Sequence, residues 1–86
     1  MERLLAWTSN GWEDFEYWED NDKRTITKIR KLIKEIKRTP FEGIGKPEPL
    51  KGNLSGFWSR RITGEHRLVY AIDSSYITII QCKGHY

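Results

Sequence analysis

The sequence predicts an α+β domain in which an N-terminal strand and two helices pack on one face of an antiparallel β-sheet. Three observations lead there. The stretch KRTITKIRKLIKEIKR, residues 23–38, repeats its apolar residues with the helical period. From Leu54 onward the period falls to two: GFWSRRI, HRLVYAI and YITIIQC are separated by Thr63-Gly64-Glu65 and Asp73-Ser74-Ser75, breaks short enough for hairpins. At 86 residues the chain has apolar surface for one hydrophobic core, so residues 1–86 are expected to form one domain.

In chain order, Leu4-Leu5-Ala6-Trp7 is a short apolar run followed by the turn-formers Thr8-Ser9-Asn10-Gly11, which favours a strand. Ser9 or Asn10 is then expected to cap a first helix with carboxylates in its first turn. Trp12, Phe15 and Trp18, three residues apart, would be its core stripe. In the second helix Ile26, Ile29, Leu32, Ile33 and Ile36 fall within an arc of about 120°, and Arg24, Arg30, Lys31, Lys34, Lys37 and Arg38 occupy the opposite side. Pro40 ends it. TPFEGIGKPEPLKGN, with three prolines and three glycines, comes next as a long irregular loop, expected to be mobile or functional. No internal repeat, low-complexity segment or linker interrupts the chain.

Composition excludes several classes of function. The one cysteine, Cys82, permits neither an intramolecular disulfide nor a cysteine-based zinc site and suits a reducing cytoplasm. The opening MERLLAWTSNGW lacks the apolar core of a signal peptide, and no apolar run approaches the roughly 20 residues that span a bilayer, so a soluble protein without a membrane partner is expected. Residues 1–22 carry a net charge of −6 and residues 23–86 a net charge of +9. An acidic lobe joined to a basic one points to an anionic partner for the second, and nucleic acid is the commonest such anion; the alternative is ordinary solvated charge.

The residues able to do chemistry are few. Strand alternation in HRLVYAI places His66, Leu68, Tyr70 and Ile72 on one face and Arg67, Val69 and Ala71 on the other. Arg60 and Arg61 point to opposite faces of the neighbouring strand, so one of them joins Arg67, and two guanidiniums on one face suit a phosphate. Glu48 sits between Pro47 and Pro49, which restrict its backbone and present its carboxylate to a neighbouring face. Of the two histidines, His66 beside a turn reads as structural, while His85 reads as an extension of the last strand and a potential proton donor. Two histidines on different segments, with no HxxxH, DxD or CxxC grouping, make no recognisable metal set. GIGKP neither follows a strand nor opens a helix, so a nucleotide cofactor is not expected either. There remains a reaction at phosphate without metal or cofactor. RNA carries its own nucleophile, the 2′-hydroxyl; such a nuclease needs a base, cations for the developing charge and an acid for the departing 5′-oxygen, and Glu48, Arg67 with Arg61, and His85 match that inventory.

RTPFEGIGKPEPLKGNLSGFWSRRITGEHRLVYAI at residues 38–72, the W-x-x-x-x-W-x-D-F pattern from Trp7 to Phe15, and the closing His85-Tyr86 together resemble the Txe/YoeB toxins of type II toxin–antitoxin modules, within the RelE/ParE superfamily. The resemblance spans essentially the whole chain. It implies a RelE-like fold and a ribosome-dependent mRNA interferase that cuts mRNA in the A site and is neutralised by a YefM-like antitoxin. Glu48 in KPEPLK resembles the general base, Arg67 in EHRLVY the arginine of the transition state, His85 the general acid and Tyr86 the residue that orients the RNA. Lys51 and Arg61 resemble supporting RNA contacts. With that likeness, the second-helix cations, Lys31, Lys34 and Arg38 among them, become an expected surface for ribosomal RNA phosphates or for an acidic antitoxin segment, and a homodimer is expected. Two rivals stand beside it: a ParE-like gyrase poison, which lacks the acid/base set, and a non-catalytic ribosome- or RNA-binding module.

Overall fold

The computed structural model describes residues 2–84. Strand β1 (Leu4–Trp7) leads into helix α1 (Ser9–Asn21) and helix α2 (Lys23–Arg38). The short strand β2 (Glu48–Pro49) and a 3₁₀ turn (Gly52–Leu54) come next, then β3 (Phe57–Arg61), β4 (Arg67–Ile72) and β5 (Tyr76–Gln81). The order across the sheet is β1-β5-β4-β3-β2. All neighbours are antiparallel except β1 and β5, which run parallel from Leu4↔Tyr76 to Trp7↔Ile79. The expected strand, two helices and meander are present, and the sheet is mixed because its N-terminal strand pairs with the last strand. A parallel neighbour needs a crossover rather than a hairpin, and the intervening chain supplies it.

Both helices lie on one face. Phe15 and Trp18 of α1 and Ile26, Ile29, Leu32, Ile33 and Ile36 of α2 pack with Leu68, Tyr70, Ile77, Ile79 and Cys82 in one buried cluster. The apolar arc read from α2 is therefore the arc that is buried. Trp12 departs from its expected place: it is 45% exposed, stacked on Phe15 and edge-on to Trp7. Steps of three residues fall about 60° short of a full turn, so a 12/15/18 stripe spirals off the buried side.

The first cap also moves. Thr8, rather than Ser9 or Asn10, is the N-cap of α1: its hydroxyl accepts from the Gly11 N–H (3.0 Å) and donates to the Ile80 carbonyl (2.9 Å). With the helix starting there, its first turn holds no acidic residue. Asp22 joins the helices, its N–H donating to the Trp18 carbonyl at the end of α1 while its carboxylate accepts from the Arg24 and Thr25 N–H groups at the start of α2.

The 39–47 loop is tied down, and the residue that ties it is Arg60. On β3 the alternation puts Trp58 and Arg60 on the helix side, opposite Tyr70 and Leu68 of β4. The Arg60 side chain is fully buried. Its guanidinium donates to the carbonyls of Thr39 (2.6 Å), Glu42 (2.9 Å) and Ile44 (3.1 Å) and to the Tyr70 hydroxyl (3.1 Å), and pairs with Glu35 at 3.4 Å. Glu35 also accepts from the Ile44 N–H at 2.6 Å, and Tyr70 donates to the Pro40 carbonyl at 2.9 Å. Burial pushes the Tyr70 phenol up, against the opposing effect of Arg60. Gly43, at φ +120°, lies where a Cβ would collide with the Glu35 carboxylate, so only glycine lets the loop close on that anchor. The loop then joins the sheet, with Gly45 accepting from the Arg61 N–H at 2.6 Å before Glu48 pairs with β3. Among the described residues no helix is long and apolar enough to cross a membrane.

Candidate active site on the open face of the sheet

Residues directly opposite one another in a sheet share a face. Glu48 is opposite Ser59, Ser59 opposite Val69, and Val69 opposite Gln81, so one row crosses four strands on the face away from the helices. In the next row Arg61 is directly opposite Arg67. Glu48 therefore lies diagonally across from Arg61, about 7–8 Å between backbones and within reach of long side chains. Arg67 is one strand further, about 4.8 Å on. Of the two β3 arginines, Arg61 joins Arg67, and Arg60 belongs to the core.

Arg67 is half-buried, and its Nη1 is buried with no hydrogen-bond partner among the described residues. Leaving a buried charged donor unpaired costs about 1–3 kcal/mol or more, so the group is disposed to take an anionic oxygen. Lys46, two residues before Glu48, has φ +50°, a left-handed conformation that costs a non-glycine residue roughly 1 kcal/mol. Lys51 is exposed just beyond β2. Such local strain beside a candidate base is the kind that collects at functional sites.

The last strand carries a bulge. Tyr70 faces Ile79 but Val69 faces Gln81, so β5 has one extra residue at Ile80. The insertion re-aims the two residues after it: Gln81 comes to the open face beside Val69, and Cys82 turns into the core. Burial pushes the Cys82 thiol up to about 12, with the Asp14 carboxylate adding to the effect, so this sulfur is a packing group and no nucleophile. The strand ends at Gln81 rather than running on toward His85. His85 and Tyr86 lie outside the described residues. His66 is on the helix side as expected, edge-on to Trp18 with ring centroids 4.8 Å apart, and accepts from the Gly84 N–H at 2.7 Å. Among the described residues no group of three His, Cys, Asp or Glu side chains is placed to hold a metal ion.

A family model described as the YoeB-like toxin of bacterial type II toxin–antitoxin systems matches residues 7–86. The chain belongs to that family. Toxin YoeB of Escherichia coli (strain K12) is 60% identical over 82 residues, covering 95% of this chain and 98% of that one. Among solved structures, the YoeB dimer from Staphylococcus aureus superposes with a TM-score of 0.92 at 47% identity, covering 100% of both chains. The YoeB–YefM complex from S. aureus gives a TM-score of 0.89 at 46% identity with the same coverage.

In this YoeB-like toxin the cations of α2 stand apart from the open face. Lys31, Lys34 and Arg38 are exposed and make no ion pair among the described residues, while Arg30 pairs with Glu19 (2.9 Å) and Lys37 with Glu2 (3.3 Å). Two of the seven acidic residues of the N-terminal segment, Glu2 and Glu19, thus pair with cations of the ridge. Lys31 borders an open groove of about 880 Å³ with Asp22, Arg24, Lys28 and Thr63. Lys34 borders one of about 260 Å³ floored by Leu5, Trp7, Phe15 and Ile33, and Arg38 a third with Glu35, Thr39 and Glu42. Glu48, Arg61 and Arg67 line none of these three grooves. Sequence alone set Arg61 beside Arg67 and gave Arg60 no task of its own, so its role as anchor was missed; the clue was its parity with Trp58 and the buried Ile62.

Proposed function

We propose that this toxin is a ribosome-dependent endoribonuclease that cuts mRNA in the A site without a metal ion, using the 2′-hydroxyl of the RNA as nucleophile. The observation that carries the reading is the meeting of a carboxylate, Glu48, with two guanidiniums, Arg61 and Arg67, on one sheet face, where Arg67 has a buried donor with no partner among the described residues. Glu48 accepts the 2′-hydroxyl proton as the 2′-oxygen attacks phosphorus. Arg67, flanked by Arg61, holds the charge that builds on the non-bridging oxygens. His85 protonates the 5′-oxygen as the P–O5′ bond breaks, leaving a 2′,3′-cyclic phosphate and a 5′-hydroxyl. Tyr86 orients the RNA and Lys51 contacts its backbone; the roles of His85 and Tyr86 rest on the sequence resemblance.

Ser59 and Val69 in the middle of this face are buried, but Glu48 and Arg61 at its β2–β3 edge are exposed, and an exposed edge, unlike an enclosed pocket, admits a polymer held by another particle, which fits an mRNA presented by the ribosome. The YoeB–YefM complex of the 46% identical S. aureus protein supports a YefM-like antitoxin as partner, and the S. aureus dimer supports a homodimer. The workplace is then the cytoplasm. The test is mapping of 5′ ends on a short mRNA in programmed ribosomes, with and without one 2′-deoxyribose placed just 5′ of the scissile bond. Cleavage of the ribose substrate in the A site, abolished by that single deoxy substitution, is expected. Undiminished cutting of the deoxy substrate would demand a water nucleophile. Ribosome binding without any cleavage would favour a non-catalytic binding module, and inhibition of supercoiling instead of translation a gyrase poison.

A further inference from the structure

The segment that leads to His85 is gripped at every residue. The Cys82 N–H donates to Asp14 (3.1 Å) and the Cys82 carbonyl accepts from Trp18 Nε1 (2.8 Å). The Lys83 ammonium lies 3.8 Å from the centre of the Tyr17 ring. Gly84 is held at both of its backbone polar groups: its N–H donates to His66 Nδ1 (2.7 Å), and its carbonyl accepts from the Arg67 N–H (3.0 Å). It also has φ +82°, which glycine alone adopts without strain.

We infer that His66 is a positioning residue: by accepting the Gly84 N–H it fixes the point from which residues 85 and 86 leave, relative to the Arg67 guanidinium. The inference rests on the nuclease reading of the open face and adds to it a residue that touches no RNA. Residues 66 and 67 form a two-part device. Arg67 offers its side chain to the phosphate and its N–H to Gly84, while the preceding imidazole completes the grip, so the cation and the attachment of the proposed acid share one dipeptide. Accepting through Nδ1 places the ring proton on Nε2, and the edge-on contact with Trp18 keeps the ring from rotating away. Trp18 itself holds Cys82, so α1 sets the imidazole and the segment it supports together.

The test uses the full chain as wild type, His66→Leu and His66→Asn. Leucine fills much of the space without an acceptor, and the asparagine Oδ1 stands near the position of Nδ1. Two quantities are read: single-turnover cleavage on programmed ribosomes across a range of toxin concentrations, and amide hydrogen exchange at Gly84 in the isolated toxin. His66→Leu is expected to lower the maximal rate at least ~10-fold, because displacements of about 1 Å at a reacting group cost up to ~10²-fold, with little change in the half-saturating concentration. Gly84 exchange rises, and His66→Asn restores both quantities most of the way. Wild-type cleavage by His66→Leu, or an asparagine variant as slow as the leucine one, overturns the positioning role. Unchanged Gly84 exchange in His66→Leu overturns the grip whether or not the protein cuts RNA. A wild-type toxin that cuts nothing defeats the nuclease reading separately.

Discussion

Three arginines within eight residues illustrate how position on a sheet decides what a guanidinium does. Arg60 points into the core, where three carbonyls, a phenol and a carboxylate surround it; Arg61 and Arg67 sit opposite each other on the open face. Arg60→Ala strips the 39–47 loop of its anchor and leaves those acceptors buried, so a loss of at least ~3 kcal/mol is expected. For a chain of this size that is roughly 12 °C or more in Tm, measured by thermal and urea unfolding. A loss below ~1 kcal/mol would show that the loop holds without it. The exposed Arg30–Glu19 pair, about half accessible on each side, is worth ~0–1 kcal/mol and makes Glu19→Gln a near-neutral control. For the proposed catalytic groups the expectation reverses: Glu48→Ala, Arg67→Ala and His85→Ala should each slow single-turnover cleavage by at least ~10²-fold with the unfolding midpoint little changed. A rate near wild type for any one removes that residue from the reaction.

At the scale of elements, the junction between α1 and α2 depends on Asp22. Hydrogen bonds from Thr25, first through its backbone N–H and then its hydroxyl, hold the Asp22 carboxyl below the usual carboxylate range, with Arg24 adding to the effect. A carboxyl lowered in the folded state contributes stability that is fully present above its unfolded value, about 3.9, and is lost as pH falls through the lower folded value. Asp22→Ala is therefore expected to lower Tm at neutral pH, Asp22→Asn to lower it less because an acceptor remains, and the gap between wild type and Asp22→Ala to close below pH ~4. Melting curves across pH 2–7 check this. A gap that persists unchanged at the acid end would mean that Asp22 acts through shape rather than charge. The bulge in β5 works at the same scale, since one extra residue sends Cys82 inward and Gln81 outward where simple alternation would do the reverse.

The whole molecule presents two cationic regions on opposite sides of one sheet within extents of 33 × 29 × 25 Å. Lys31, Lys34 and Arg38 ride on the outer side of α2, and Arg61 and Arg67 on the open face. A ligand that engages both must be far larger than a nucleotide, a requirement a ribosome meets. Converting Lys31, Lys34 and Arg38 to glutamate takes the formal net charge from +3 to −3. Ribosome association should weaken, and its dependence on log salt should flatten by up to ~2–3 as phosphate contacts are lost. The circular dichroism spectrum should not change, because the buried Ile29 and Ile33 are untouched. Binding with unaltered affinity and salt dependence would leave these cations as an ordinary solvated face.

Much of this arrangement was legible in the chain itself. The buried arc of α2, the order of elements and the opposite faces of Leu68/Tyr70 and Arg67/Val69 all depend on periods of 3.6 and 2, which near neighbours in sequence carry. Glu48 and Arg67 already stood out from their own surroundings in the sequence, and the likeness of residues 38–72 to YoeB-like toxins gave each of them an expected role. Tertiary structure alone decided that Arg60 is the buried anchor, that β1 runs parallel to β5, that Thr8 caps α1, that Trp12 stays half in solvent, and that the acidic N-terminal segment pairs with part of the basic ridge. It also decided that the 39–47 loop is pinned by a residue some twenty positions later and that His66 holds Gly84. The reason is common to all of these. Period and turn chemistry act over a few residues, whereas a parallel strand pair, a buried guanidinium and a bulge are settled by which distant segments meet, and that meeting is chosen by the packing of the whole core.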